Sequence, residues 1–568
     1  MLPTKNVIAA VAMSTAVIIL YSLYFAPSPE EIKKLKVEQE EKRLLQETES
    51  PKIEQEEKSK SISREEAILQ SDRINFENEF IKGSISLNNG GAIDDYEFKN
   101  YNKTLNSEEK IVLLSPSNTE NGYLLNTGWT TNSEVEVPNS KTKWILESGN
   151  KLTPNNPIKI YFENNAGIRF ERTITLDEKY LFSIKQKIIN NSSKNYKFYP
   201  YAFLHRNNVP GDLTDFYILH EGFVTVGDGE LKEVDYDDVK EKKFTREANV
   251  GFVSLGDKYW LTSLIPNQGR KFRIDIDYRN KYRASFIDLE GFNVDANSST
   301  EHTIKSVIGA KEVKLIDKYG EELNIQQFDL NVSYGIFYWI VRPMHVALDY
   351  LYKFSGNYGY AIILLTILIR IIFFPLNQYS FKSMGKMKVL APQLKIIQER
   401  WKEDKVQMQK ETMKLYKANG VNPMSSCLPI LVQIPIFFSL YKLLLLDIAM
   451  RHAPFIWYWK DLSAKDTGGE WLFSFLPFAN YIPSFLEIGL LPVLMGVSMW
   501  MTQRLNPMPG GSEAAEMQKK IFTWFPVFIV FILAPFASGL CLYWCCTNIL
   551  QYIQQKFVLR STTVRTLQ

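Results

Sequence analysis

Residues 362–376 read IILLTILIRIIFFPL. The run is apolar enough for hydrocarbon, yet it carries one guanidinium, Arg370. Arginine keeps its proton under all realistic conditions, and a charge deep in a bilayer costs at least about 2.5–3.5 kcal/mol. Such a side chain either snorkels to the interface along its own methylenes or faces a wet, protein-lined cavity. Arg370 lies about six residues from the end of the run, roughly 9 Å at helical rise, which is deep enough to favour the cavity. Other polar groups interrupt apolar runs. Thr366 is one turn away on the same helix face, Gln433 sits inside CLPILVQIPIFFSLY, and Thr547, Asn548 and Gln551 break the last run. Each alone is explained by a helix–helix hydrogen bond. Together they describe a polar concavity within the membrane. No carboxylate in these runs pairs obviously with Arg370, so the cation stands open to an anionic or polar client.

Other chemistry is sparse. The 5 histidines are scattered without ligand spacing, so no metal site is expected. All four cysteines (Cys427, Cys541, Cys545 and Cys546) fall in apolar runs, so disulfides do not hold the polar half together. No catalytic constellation stands out there, and no G-x-x-x-x-G-K-[ST] loop occurs. The expectation is no enzyme, no cofactor and no nucleic acid cofactor.

The elements that position these residues follow from a composition that changes along the 568-residue chain. Residues 1–26 hold VIAAVAMSTAVIILYSLYF behind Lys5, long enough to span a bilayer and read as an uncleaved anchor. Residues 27–71 form a Glu/Lys/Gln-rich flexible linker. Residues 72–327 show short alternating runs such as RKFRIDIDYR between turn clusters, predicting a β-sandwich. An amphipathic helix is expected within 328–356, lying in the membrane interface, with Phe337, Val341, Met344, Leu348 and Leu351 on one face; Pro343 must start it or kink it. Spans are expected at 357–376, 426–446, 487–503, 521–535 and 539–557, making six with the anchor. The class is therefore multi-domain: a polytopic α-helical membrane protein with a β-sandwich domain and a helical hairpin.

Charge sets the orientation. Loop 377–425 holds 10 Lys/Arg against 4 Asp/Glu, and the tail 558–568 is basic, so both are cytoplasmic by the positive-inside rule. Loop 447–486 has few cations and an aromatic belt, and lies across the membrane with the β domain; 504–520 is a cytoplasmic loop. Both termini are then inside. Loop 377–425 reads as a helical hairpin ending in KANG, with Gly420 as its C-cap. Its methionines, Met384, Met387, Met408 and Met413, suit adaptable apolar contact with clients.

ILIRIIFFPLNQYSFKSMGKMKVLAPQLKIIQERWKEDKVQMQKETMKLYKANGVNPMSSCLPILVQIPIF, WKDLSAKD and SGLCLYW resemble the YidC/Oxa/Alb family of membrane protein insertases, in its bacterial branch with a large periplasmic domain. The likeness covers essentially the whole chain. It implies a multi-pass protein of the bacterial inner membrane that inserts newly made membrane proteins, alone or with the Sec translocase. Contact with the ribosome and the signal recognition particle pathway is also implied. A client groove would hold Arg370, Thr366, Gln433 and Asn548, and a greasy slide would use Ile434, Pro435, Phe437, Tyr543 and Trp544. Two other functions compete. A secondary transporter would use Arg370 to bind a small anion, although no inverted repeat is visible. An envelope binding protein would act through the β domain, with the spans as mere anchors.

Overall fold

The computed structural model describes residues 61–211, 213, 219–422, 425, 428–457, 459–466, 488–505 and 513–566. The expected anchor, most of the linker and parts of loops 447–486 and 504–520 lie outside the described residues.

The polar half folds as two packed antiparallel sheets. The ten-stranded sheet runs Arg73–Glu77, Ile81–Ser86, Ala92–Asn102, Tyr123–Thr131, Tyr196–Arg206, Tyr282–Asp288, Phe272–Tyr278 and Phe244–Ala248, with Lys110–Leu114 and Phe292–Val294 attached at its side. The nine-stranded sheet runs Glu230–Asp235, Gly222–Gly227, Gly251–Gly256, Trp260–Ile265, Ser298–Ala310, Leu181–Asn190, Ile168–Leu176, Ile158–Glu163 and Ile145–Ser148. Period-two alternation places the core. In Leu181–Asn190, Phe182, Ile184, Gln186, Ile188 and Asn190 are buried while their neighbours are not. Rings from both sheets meet between them: Phe76 packs edge-on to Phe182 at 5.3 Å, and the Tyr96 hydroxyl donates to the Ile308 carbonyl of the opposite sheet. Two short helices decorate this domain, α1 (Arg64–Leu69), capped by Ser63 and Glu66, and α2 (Tyr236–Glu241).

Helix α3 (Val313–Glu322) leads out of the sandwich through a turn-rich connector to α4 (Tyr338–Ser355), the expected amphipathic helix. Val341, Met344, His345 and Leu348 are buried, while Trp339, Val346, Tyr350 and Phe354 are exposed. Pro343 lies inside α4, near its start. There its missing N–H forfeits at most one helical bond.

The remaining helices are α5 (Tyr358–Ile372), α6 (Phe374–Arg400), α7 (Lys405–Ala418), α8 (Leu428–Leu446), α9 (Leu490–Gln503), α10 (Glu513–Leu533) and α11 (Ser538–Thr566). Among the described residues no single helix is long and apolar enough to cross a membrane alone. Helices α5 and α6 pass that test together, by length and composition, but are bent by 65°. The bend falls where Pro375 enters the first turn of α6, since proline cannot donate the bond that would continue α5. Leu431–Leu446, Leu490–Gln503 and Thr523–Leu533 are shorter apolar segments. Helices α5, α6, α8 and α9 all pack on α11, which is the hub of the bundle.

Loop segments tie the bundle at the end that faces the sandwich. Asn357 caps α5 with its Oδ1 and donates its amide to the carbonyls of Pro454 and Phe455. Gly359 leaves room for the Phe455 ring, which a Cβ would meet at 1.9 Å. Asp466 accepts from the Leu491 N–H at the start of α9. Ion pairs Arg342–Asp317 at 2.8 Å and Lys314–Asp349 at 2.6 Å join α4 to α3, and Arg451 donates to the carbonyls of Asn102 and Lys103.

Candidate intramembrane groove

The face of α11 that carries Tyr543, Thr547 and Gln551 is the centre of the candidate site. These residues are four apart, so they stack on one face with about 6 Å between successive positions. Helix α5 meets the lower part of this face. Arg370 Nη2 donates to the Thr547 carbonyl at 3.0 Å and to Gln551 Oε1 at 3.1 Å. Helix α8 meets the upper part, where Gln433 Nε2 donates to the Tyr543 hydroxyl at 2.5 Å. A guanidinium has five N–H donors, so two bonds to neutral oxygens leave most of the fork, and all of the charge, uncommitted. Arg370 is only half-buried. Next to it on α5, Ile367, Leu368, Ile371 and Ile372 are exposed apolar residues.

The expected residues divide by helix face. Arg370, Gln433 and Tyr543 come together on one polar strip. Thr366 is buried and spends its hydroxyl on the Ile362 carbonyl of its own helix at 2.7 Å. It adds no free donor to the strip. Asn548 lies one residue, hence about 100°, from Thr547, and its side chain points to α9, donating to Ser498 Oγ at 3.1 Å. Its backbone carbonyl accepts from Thr502 at 3.3 Å. Asn548 thus staples α11 to α9 and does not face Arg370. Gln551 takes the place beside Arg370, and four-residue spacing from Thr547 is the signal that points to it.

Among the slide residues, Ile434 is 46 % exposed whereas Tyr543 is 2 % exposed. Phe437 packs edge-on to Trp544 at 4.8 Å, and Trp544 is half-buried. Pro435 lies inside α8, where it leaves the Leu431 carbonyl without its usual donor. The outward-facing apolar surface of α8 is therefore Leu431 and Ile434, with Tyr543 behind it as a polar backstop.

The hairpin also differs from its sequence pattern. Met384 is buried with Phe381 of α6 and Val558 of α11, with Met387 packed alongside. These two methionines anchor the hairpin base. Met413 is exposed, Met408 is half-buried, and α7 has no buried residue. The hairpin's exposed apolar surface lies on both helices: Val406, 79 % exposed, and Met413 on α7, and Val389 and Ile396 on α6. Among the described residues no cluster of three or more His, Cys, Asp or Glu side chains is placed to hold a metal ion.

Two family models match the chain. One, described as 60Kd inner membrane protein, matches residues 350–565, and the other, described as YidC periplasmic domain, matches residues 73–347. A relative from Pelagibacter ubique (strain HTCC1062), named membrane protein insertase YidC, is 49% identical over 565 residues, covering 99% of this chain and 100% of that one. Proteins of the same name from Brucella suis biovar 1 (strain 1330) and Rickettsia rickettsii (strain Iowa) are each 38% identical, over 509 and 567 residues; they cover 88% and 97% of this chain, and 82% and 98% of theirs. A solved structure described as an active YidC insertase with the first transmembrane domain resolved is 18% identical, covers 89% of this chain and 94% of its own, and has a TM-score of 0.35.

Proposed function

This chain belongs to the YidC family of membrane protein insertases, and on that premise we propose that clients enter the bilayer along the polar strip shared by α5, α8 and α11. The protein is an inner-membrane insertase with a periplasmic β-sandwich domain, and its substrates are newly made membrane proteins. The finer reading has six spans, both termini in the cytoplasm and the α6–α7 hairpin on the cytoplasmic side. The Lys/Arg excess of loop 377–425 supports that orientation.

The observation that carries the reading is Arg370, half-buried and, among the described residues, hydrogen-bonded only to neutral oxygens of α11. A hydrophilic client segment must cross about 30 Å of hydrocarbon. A polar strip open on one side shortens the dry path and supplies donors and acceptors along it. The free positive charge attracts acidic residues of a translocated segment, and the client's apolar helix leaves past Leu431 and Ile434 into lipid. Client hydrophobicity drives the step, assisted by the membrane potential, so no bond is made or broken and the role is not enzymatic. The exposed face of α7 receives clients before they reach the strip. The Sec translocase, the ribosome and the signal recognition particle pathway are its proposed partners.

Purified protein reconstituted alone into liposomes tests this. Insertion of a newly synthesised single-span protein with a short acidic translocated tail is expected. Uptake of a small anion without insertion would instead favour the transporter.

A further inference from the structure

The junction between α8 and the connector that follows the β-sandwich contains a buried cation that the client path does not use. Lys442, on α8, is 7 % exposed, and its ammonium makes no hydrogen bond among the described residues. No ion pair reaches it among the described residues; the carboxylate tied to the connector it lies against is Glu233, on the edge strand Glu230–Asp235 of the nine-stranded sheet. Glu233 is itself fixed, because Ser333 Oγ donates to its Oε1 at 2.9 Å.

Ser333 belongs to the connector between the sandwich and α4, and that connector is unusual. Gln327, Ser333 and Gly335 all have left-handed backbone, with φ of 57°, 54° and 60°. Two of them are not glycine, and such conformations persist only where the surroundings over-determine them. Gly335 also lies against the cation: a Cβ there would come 2.7 Å from Lys442 Nζ, so the ammonium would have to shift. Two residues on, Phe337 stacks on Phe438 of α8 at 6.3 Å and 5°. Sandwich, connector and α8 therefore meet at one buried charge.

Lys442 lies nine residues beyond Gln433, about two and a half helical turns, so the two side chains leave α8 on opposite sides. Gln433 grips Tyr543 of α11 in front, and Lys442 is held from behind. We propose that Glu233 is a positioning residue: anchored by Ser333, its charge balances the Lys442 ammonium across the connector and fixes α8 against α11, so that the periplasmic domain sets the spacing across the polar strip. This rests on the reading of that strip as the client path. A buried cation without a bonded partner is costly, and that cost makes the placement of α8 sensitive to Glu233.

The test uses the full-length protein in lipid nanodiscs, with native cysteines replaced and spin labels at Leu431 and Ile549, both exposed. Distances between α8 and α11 are measured by pulsed electron resonance for Glu233→Gln, Lys442→Met, Lys442→Arg, and the exchange of Glu233→Lys with Lys442→Glu. Insertion is measured in parallel on the same variants without labels, because Leu431 borders the proposed client exit. Both neutralising variants are expected to broaden or shift the distance and slow insertion by about fivefold, the low end of coupling between sites. Lys442→Arg and the charge exchange are expected to restore the distance. An unchanged distance in Glu233→Gln, which keeps the side chain's size and an oxygen for Ser333, overturns the proposal. So does a shift that neither the arginine nor the exchange repairs. If distances respond as stated while insertion does not, the clasp stands and the client-path reading falls.

Discussion

Arg370 is visible in the sequence because a guanidinium in an apolar run has few explanations. What the sequence does not give is its partners: Gln551 and the Thr547 carbonyl come from another helix and depend on how α11 is rotated. Asn548 shows the same limit, since one residue of helical phase sends it to Ser498. Because Arg370 is held by neutral oxygens, its charge should matter more than its shape. Arg370→Lys keeps the charge but loses the planar fork, and should retain most activity. Arg370→Ala and Arg370→Glu should impair clients with acidic translocated segments and spare those with neutral ones, with little change in thermal unfolding. Equal slowing of all clients would mean that the arginine only pins α5 to α11. A second residue-scale prediction lies in the sandwich. His302 is buried between Trp129 and Phe292, and neither ring nitrogen has a hydrogen-bond partner among the described residues. Burial holds its imidazole neutral and pushes its pKa down from 6.5 to about 4. The unfolded chain therefore binds the proton first. The stability His302 contributes is present above pH 6.5 and lost as the pH falls toward 4, on the order of 3 kcal/mol. His302→Gln should flatten the fall of the β-sheet melting midpoint between pH 6.5 and 4, read by circular dichroism; an unchanged slope would contradict the assignment.

At the scale of elements, periodicity was legible where one partner decided burial and misleading where two did. Met384 and Met387, expected to meet clients, pack with Phe381 of their own helix against Val558 of α11, a partner some 170 residues away that no local pattern reveals. Helix α7, with nothing buried, and the stretch of α6 that exposes Val389 and Ile396 are the part left for clients. Replacing residues 388–417 with a short Gly-Ser linker should therefore slow insertion while leaving the bundle folded. Starting the deletion at 384 should also loosen the end of α11, detectable as faster hydrogen exchange near Val558. Normal insertion after the shorter deletion would remove the capture role. The span expected at 357–376 is instead bent by 65° at Phe373, with a local cause in Pro375, and both arms of the bend pack on α11.

For the whole molecule, the division into a β-sandwich and a helical bundle is written in composition, because alternating and continuous apolar runs answer to different surroundings. Their union is not. It depends on the Arg342–Asp317 and Lys314–Asp349 pairs, on Arg451 and on the Lys442 clasp, each between residues distant in sequence and unremarkable alone. The proposed topology predicts that a membrane-impermeant thiol reagent labels a cysteine at Val406 only from the cytoplasm and one at Leu146 only from the periplasm, both positions being exposed. The central claim, that clients pass along the strip of α5, α8 and α11, is tested most directly by photo-crosslinking. Probes at Gln433, Ile434 and Gln551 are compared with probes at Trp524 and Phe528, which are exposed on α10, while a stalled nascent membrane protein is engaged. Strong adducts at the first three and weak ones on α10 are the expected result; adducts of equal strength at all five positions, or on α10 alone, would contradict the account.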